Sequence, residues 1–288
     1  MEVVNKPTIS FEYFPPKNEK LAQTLWDSVP KLAAFDPSFM TVTYGAGGST
    51  RDNTIDVATQ MHEKTGIPIA THLTYINTPR KELYALADHL WEKGIKHIIA
   101  LRGDMPKDLN WPLDPDADYF QYTSHFVAAL KARQDFEISV GCYPEKHPDA
   151  PSLDKDIEAL MKKIDAGADR AITQFFFDNN LYYDFLEACA KMDIKAPICP
   201  GLLPIHDFSS MLRFASTCQT TVPDWLVEKF DAVKDNEQDA KKLATELLIR
   251  QSEDLIKNGV NHLHFYTLNK CAITDEVCSA LGYQAKAA

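Results

Sequence analysis

"LDKDIEALMKKIDAGADRAITQFFFD", residues 153–178, changes its hydrophobic period halfway along. Ile157, Leu160, Met161 and Ile164 recur at three- and four-residue steps, which lines one face of an α-helix. Gly167 then ends the pattern, because glycine takes the left-handed conformation that stops a helix without steric penalty. The residues after it, "RAITQFFFD", are short-spaced, β-branched and aromatic, the composition of a strand. Gly66, Gly94 and Gly259 mark the same helix-to-strand junction elsewhere in the chain.

Eight β-rich runs recur along the chain: "TISFEYF", "SFMTVTYG", "IPIATHLT", "KHIIALRGD", "EISVGCYPE", "RAITQFFFD", "APICPGLLP" and "NHLHFYTLN". Helical patterns such as "EKLAQTLWDSVPKLAAF" and "KELYALADHLWEKG" separate them. Eight βα units close most naturally into an α/β fold, a (β/α)8 TIM barrel, with a doubly wound open sheet as the alternative. The stretch 224–258 reads as additional helix before the last strand, with "DAVKDNEQDAKK" as a solvated face. No linker or low-complexity segment marks a second domain, so residues 1–288 are expected to form a single barrel domain.

The chain has 288 residues and a net charge of −11, with no run of five like charges. That balance argues against a nucleic-acid or anionic-membrane partner. Six cysteines show no C-x-x-C pair or zinc-finger spacing, and nine histidines form no H-x-x-x-H pattern; no metal site is expected. Free thiols, no leader-like start and no apolar run long enough to span a bilayer point to a cytoplasmic protein.

Polar residues gather at the C-terminal ends of seven runs: Glu12, Thr43 and Tyr44, His72 and Thr74, Arg102 and Asp104, Tyr143 and Glu145, Gln174 and Asp178, Asn269 and Lys270. In a barrel those ends share the rim that holds the active site. Glu12 in "SFEYFPPK" shares a strand face with Ser10, opposite Phe11 and Tyr13. Two roles fit it: an ionised partner of a nearby Arg or Lys, or a functional carboxyl. "TYGAGGST", residues 43–50, fails the G-x-G-x-x-G spacing and is either a βα turn or a loop whose backbone approaches a ligand. In "ALRGDMP", Arg102 and Asp104 could pair with each other, or with Gly103 could face a planar ligand. Asp156 and Lys163 fall on one helix flank, either solvated or, with Lys162, gripping a phosphate. Gln174 lies in an apolar strand where its amide must find partners. No G-x-S-x-G elbow or P-loop is present.

In order along the chain, "FEYFPPK", "VTYGAGGSTRD", "THLT", "ALRGD", "YPEKHP", "DAGADRAITQFFFD", "PGLLP" and "HFYTLN" resemble the motifs of methylenetetrahydrofolate reductases. The resemblance implies a barrel that binds FAD at its strand C-termini. NADH or NADPH would reduce the flavin and leave before the folate enters. The reduced flavin would then convert 5,10-methylenetetrahydrofolate to 5-methyltetrahydrofolate for methionine synthesis. A folate-binding barrel that transfers methyl groups without redox chemistry, or a non-catalytic subunit of an electron-transfer assembly, are the alternatives.

Carried over by motif, the FAD contacts are Thr43, Tyr44, Ala46, His72, Arg102, Gly103, Asp104, Tyr122, Thr123, Tyr143, His147, Asp156, Lys162 and Lys163. Glu12 and Asp104 are the implied catalytic residues. Gln174, Ser210, Phe214 and Lys270 join them at the folate. Ser210 stands where the bacterial pattern has glutamine, and Lys270 where it has arginine. As the general acid, Glu12 needs a carboxyl raised toward neutrality by burial against rings. The resemblance also implies a homo-oligomer, and no regulation of the kind that larger eukaryotic relatives draw from a C-terminal domain.

Overall fold

The helix-glycine-strand unit repeats around a closed sheet. A computed structural model describes residues 6–43, 51–105, 113–114 and 117–286. The strands are β1 (Thr8–Tyr13), β2 (Phe39–Val42), β3 (Ile69–Thr74), β4 (His97–Leu101), β5 (Glu137–Cys142), β6 (Arg170–Thr173), β7 (Ile198–Cys199), β8 (Gly201–Leu202) and β9 (His262–Tyr266). The helices are α1 (Glu19–Ala33), α2 (Arg51–Thr65), α3 (Arg80–Glu92), α4 (Thr123–Arg133), α5 (Leu153–Asp165), α6 (Asn179–Lys191), α7 (Phe208–Cys218), α8 (Asp224–Asp231), α9 (Glu237–Lys257) and α10 (Ala272–Ala280). Every strand pair is parallel, in the order β7-β6-β5-β4-β3-β2-β1-β9-β8.

The eight sequence runs become nine strands because Pro200 splits the seventh. Ile198–Cys199 bonds to β6 while Gly201–Leu202 bonds to β9, so this one run closes the barrel. Closure needs a glycine. A Cβ at Gly201 would stand 2.3 Å from the Thr173 carbonyl oxygen and 2.5 Å from Tyr266 Cε2. Tyr266 spans the seam, its hydroxyl donating to Thr173 O at 2.6 Å.

Local chemistry sets the helix ends. Ser152 caps α5 by accepting from the Lys155 N–H, and Gly167 follows its last turn at φ +112°. The extra helical stretch expected across 224–258 is two helices, α8 and α9. The second restarts at Asn236, whose side chain accepts from the Gln238 and Asp239 N–H groups.

Alternation along each strand divides the core in two. Ile9, Phe11 and Tyr13 point outward and join the layer packed under the helices. Inside the barrel, Phe39, Ala70, Ile99, Ile172 and Cys199 form a second, smaller apolar cluster. Phe39 plugs the N-terminal end: its ring stacks on His262 with centroids 5.5 Å apart and meets His97 edge-on at 4.7 Å. The remaining interior positions, around β1 and β9, are polar.

Candidate active site

Glu12 sits at the C-terminal mouth of the barrel, 12% exposed. The turn after β9 fixes its backbone: Thr267 Oγ1 donates to Glu12 O at 2.6 Å. Asn269 Nδ2 donates to Phe14 O, and Asn269 Oδ1 accepts from Phe14 N, both at 2.9 Å. Leu268 and Asn269 adopt φ of 52° and 60° to make this clamp.

The Glu12 carboxylate meets imidazoles rather than an Arg or Lys. Oε2 lies 3.1 Å from His72 Nε2 and 3.5 Å from His264 Nε2, and accepts from Thr41 Oγ1 at 3.4 Å. Burial is the largest single influence and pushes the carboxyl up. The charges and hydrogen bonds of His72 and His264 together outweigh it and hold the pKa at about 2. This corrects the expectation of a carboxyl raised by burial alone: Glu12 is ionised in this state.

Along the rim from Glu12, the ends of β4 and β5 form a connected group. Arg102 does not pair with Asp104; its Nη2 reaches Asp149 at 2.8 Å, across on the loop after β5. Asp104 is exposed, and its charge raises the Cys218 thiol at the end of α7, second to burial. Gly103 turns at φ +92°, and a Cβ there would lie 3.0 Å from both Ile76 Cγ2 and Thr74 Cβ. Its glycine is therefore required by packing on β3. Tyr143 is pushed up to about 12, by burial first and then by Asp156, and its ring meets His147 edge-on at 4.6 Å.

Asp156 and Lys163 leave the same helix flank for different partners. Asp156 Oδ2 accepts from the His147 N–H at 2.7 Å, whereas Lys163 Nζ donates to the Gly141 carbonyl at 2.6 Å. Burial lowers the Lys163 pKa. Lys162, one position earlier, is exposed and does not share this cluster. Thr43 is half-buried at the end of β2, with its carbonyl accepting from Thr54 Oγ1. Thr123 opens α4 and bonds the Tyr75 hydroxyl, while Tyr122 before it is exposed and edge-on to His125. Tyr44 and Ala46 lie outside the described residues.

The β6 to β9 side of the rim is more open. Gln174 Oε1 accepts from the Phe175 N–H at 3.0 Å, which leaves its amide NH2 to donate. Phe214 on α7 stacks on Phe175 at 5.1 Å and remains 40% exposed. Ser210 Oγ accepts from Arg213 Nη2 at 2.8 Å. Lys270 is exposed, and its charge helps burial to hold His206 down at about 4.

Thr41, His264 and Thr267 are site residues that motif reading passed over, whereas Asn269 was placed on the rim without its role as a clamp. The signal was available in the alternation: "TISFE" places Thr8, Ser10 and Glu12 on one strand face, and "HLHFY" places His262 and His264 on another. Among the described residues no cluster of His, Cys, Asp or Glu could hold a metal ion, and no helix is long and apolar enough to cross a membrane.

The methylenetetrahydrofolate reductase family model matches residues 2–282. Proteins called 5,10-methylenetetrahydrofolate reductase from Pectobacterium carotovorum subsp. carotovorum and Escherichia coli (strain K12) are each 39% identical over 281 residues. The alignments cover 98% of this chain and 92% and 93% of those proteins. Methylenetetrahydrofolate reductase (NADH) 1 of Zea mays is 33% identical, over 92% of this chain and 46% of the longer plant protein. Among solved structures, a Clostridium thermocellum protein described as binding two copies of 5-methyl-5,6,7,8-tetrahydrofolic acid has a TM-score of 0.64 at 17% identity. That match covers 97% of this chain and 95% of the other, a likeness of fold. With a family model across nearly its whole length and close relatives over 98% of it, this chain belongs to the methylenetetrahydrofolate reductase family.

Proposed function

We propose that the protein reduces 5,10-methylenetetrahydrofolate to 5-methyltetrahydrofolate with a bound FAD that NADH or NADPH re-reduces, the two substrates using the site in turn. The β3 to β5 half of the rim has the chemistry to hold the cofactor. Arg102 offers a cation that is 27% exposed, Gly103 turns the backbone, and Tyr143 with His147 adds ring surface. When bound, FAD supplies the hydride. Six unpaired cysteines suit a reducing compartment, and we place the enzyme in the cytoplasm.

The remaining work falls to this chain's own side chains. The methylene carbon of the folate bridges two nitrogens and accepts hydride poorly until N10 is protonated and the ring opens to an iminium cation. Glu12 is the carboxyl at the barrel mouth and the group we assign to that protonation. A planar ligand lying over it removes its remaining solvent and strengthens the upward push of burial. Phe214, stacked on Phe175, offers a platform for a flat ring, and the Gln174 NH2 can donate to an acceptor edge.

The observation that carries this assignment is the position of the Glu12 carboxyl, only 12% exposed at the C-terminal mouth of the barrel. Glu12→Gln tests it, since glutamine keeps the shape and cannot donate the proton. The variant is expected to fold, hold flavin and accept electrons from NADH or NADPH, with the folate step slowed at least about 10²-fold. Near-normal folate turnover would remove Glu12 from the mechanism.

A further inference from the structure

Below Glu12 the barrel interior holds a line of polar groups that the reduction as described leaves unused. Thr8, Ser10 and Glu12 alternate along β1. His262 and His264 do the same on β9, with Thr8 opposite His262 and Ser10 opposite His264. The side chains interlock between the strands. Thr8 Oγ1 lies 2.7 Å from His262 Nδ1, His262 Nε2 lies 2.7 Å from Ser10 Oγ, and Ser10 Oγ lies 2.7 Å from His264 Nδ1. The buried His264 Nε2 faces Glu12 Oε2 at 3.5 Å. Ser10 and His264 are 0% exposed, whereas Thr8 at the outer end is exposed.

We propose that Thr8, His262, Ser10 and His264 form a proton relay from solvent at the N-terminal mouth of the barrel to Glu12 at the opposite mouth. It recharges the acid and rests on the assignment of Glu12 as that acid. The path covers four residues of strand, about 13 Å. Every intermediate member is a hydroxyl or an imidazole, and each of these can gain a proton on one side while losing one on the other. Apolar side chains would fill this wall without desolvating polar groups, as Ile99, Ile172 and Cys199 do elsewhere in the interior.

One pass balances atom by atom. Before it, each O–H or N–H points toward Glu12. A proton from solvent joins Thr8 Oγ1 as that hydroxyl gives its own to His262 Nδ1. The His262 Nε2 proton passes to Ser10 Oγ, the Ser10 proton to His264 Nδ1, and the His264 Nε2 proton to Glu12 Oε2. No electrons change hands, and the Thr8 hydroxyl ends directed at the Asn261 carbonyl, 3.3 Å away. Glu12 then carries the proton that N10 of the folate takes.

The charged and titratable groups around the line are His72 on β3, His97 on β4, Glu137 on β5, and Arg170 on β6, with Tyr266 on β9. Burial, then the charges of His264 and Arg170, holds His262 down at about 3. Its ring is therefore neutral at pH 7 and passes protons by changing tautomer rather than storing charge.

The test uses the flavin-loaded protein. Ser10→Ala removes the hydroxyl between the two imidazoles. Reduction of the flavin by NADH or NADPH is expected to stay at the parent rate, while the folate step slows at least about tenfold. The slowing should grow as pH rises, because protons must then come from bulk water. Its dependence on deuterium fraction should change from curved to linear, and Ser10→Thr should restore both behaviours. In the flavin-free protein, long-range 1H–15N spectra should show altered tautomers at His262 and His264 and an unaltered His97. Thr8→Val, at the solvent end, carries the same kinetic test if Ser10→Ala does not fold. Glu12→Gln is measured alongside. A fast folate step in Glu12→Gln overturns the acid assignment itself. A slow Glu12→Gln beside Ser10→Ala and Thr8→Val variants with parent rate, pH profile and isotope dependence overturns the relay alone.

Discussion

The two halves of the rim are built differently. On the β4–β5 side the polar groups satisfy one another: Arg102 with Asp149, His147 with Asp156, Lys163 with the Gly141 carbonyl. On the β6–β9 side Phe214, Ser210 and Lys270 are exposed, and among the described residues Gln174 has only its oxygen engaged. A socket whose charges are already paired keeps its shape before a ligand arrives. Open side chains take theirs from the ligand. The first arrangement suits a cofactor that stays, and the second suits substrates that come and go.

The largest expected effect is one that strikes both halves together, through the base they share. Burial, followed by the charge of Arg170, holds His97 at about 3 against an ordinary 6.5, and burial holds His262 equally low. Between those values the unfolded chain binds protons that the folded one refuses. Stability is then complete above pH 6.5 and falls as pH drops toward 3. Glu12 acts in the same direction, its contribution present above pH 4.5 and lost as pH falls toward 2. The combined loss by pH 4 is expected to be on the order of several kcal/mol. Urea midpoints measured from pH 8 to pH 4 check it, and a flat profile would mean the buried rings are already charged in the folded protein.

Next in size is Arg102→Ala, which tests the paired half alone. It removes the rim cation and leaves Asp149 unpaired. Flavin affinity should fall about 10- to 100-fold, the worth of a hydrogen bond to a charged group. Dilution followed by flavin fluorescence reads it. Retained flavin with weakened folate binding would exchange the roles of the two halves.

How much of this was legible in the sequence follows from what each feature depends on. The barrel depends on period and on glycine stops, which are local, so the eight runs and the four glycine junctions were readable. The split of the seventh run was less so, because it depends on Gly201 passing between Thr173 and Tyr266, residues distant in the chain. Glu12 could be placed on the correct strand face by alternation, but its partners could not. His72 and His264 lie 60 and 252 residues away, and closure of the barrel alone brings them together. Of the two readings open for Arg102 and Asp104, the mutual pair does not form, for a related reason. Nearness in sequence favoured it, while the loop after β5 delivers Asp149 at 2.8 Å.

Phe214→Ala tests the open half. The ring stacks on Phe175 and supports no other described element by hydrogen bond or charge, so thermal stability should change little. Losing a stacking partner worth about 0.5–1.5 kcal/mol should raise the folate KM roughly two- to tenfold. Flavin content should stay at the parent level. Loss of flavin in this variant would show that the open half is also part of the cofactor socket.

The smallest effect belongs to Lys270, where the family resemblance implies arginine. Lys270 is exposed on the turn that Leu268 and Asn269 make at positive φ, and its amide donates to Thr267 O at 3.0 Å. That turn also clamps the backbone of Glu12 and Phe14, so the backbone that carries Lys270 is held at the mouth. Lysine presents a point charge on a flexible stem, whereas arginine presents a planar fork that can grip a carboxylate with two parallel bonds. Because the position is exposed, solvent screens most of the difference. Lys270→Arg should lower the folate KM by only about two- to threefold, the kinetic equivalent of a surface ion pair's few tenths of a kcal/mol. Flavin reduction by NADH or NADPH should keep its rate, since Lys270 stands apart from the Arg102–Asp149 group. A changed rate of flavin reduction with an unchanged folate KM would place this lysine with the cofactor, and the division of the rim into a fixed half and an open half would no longer hold.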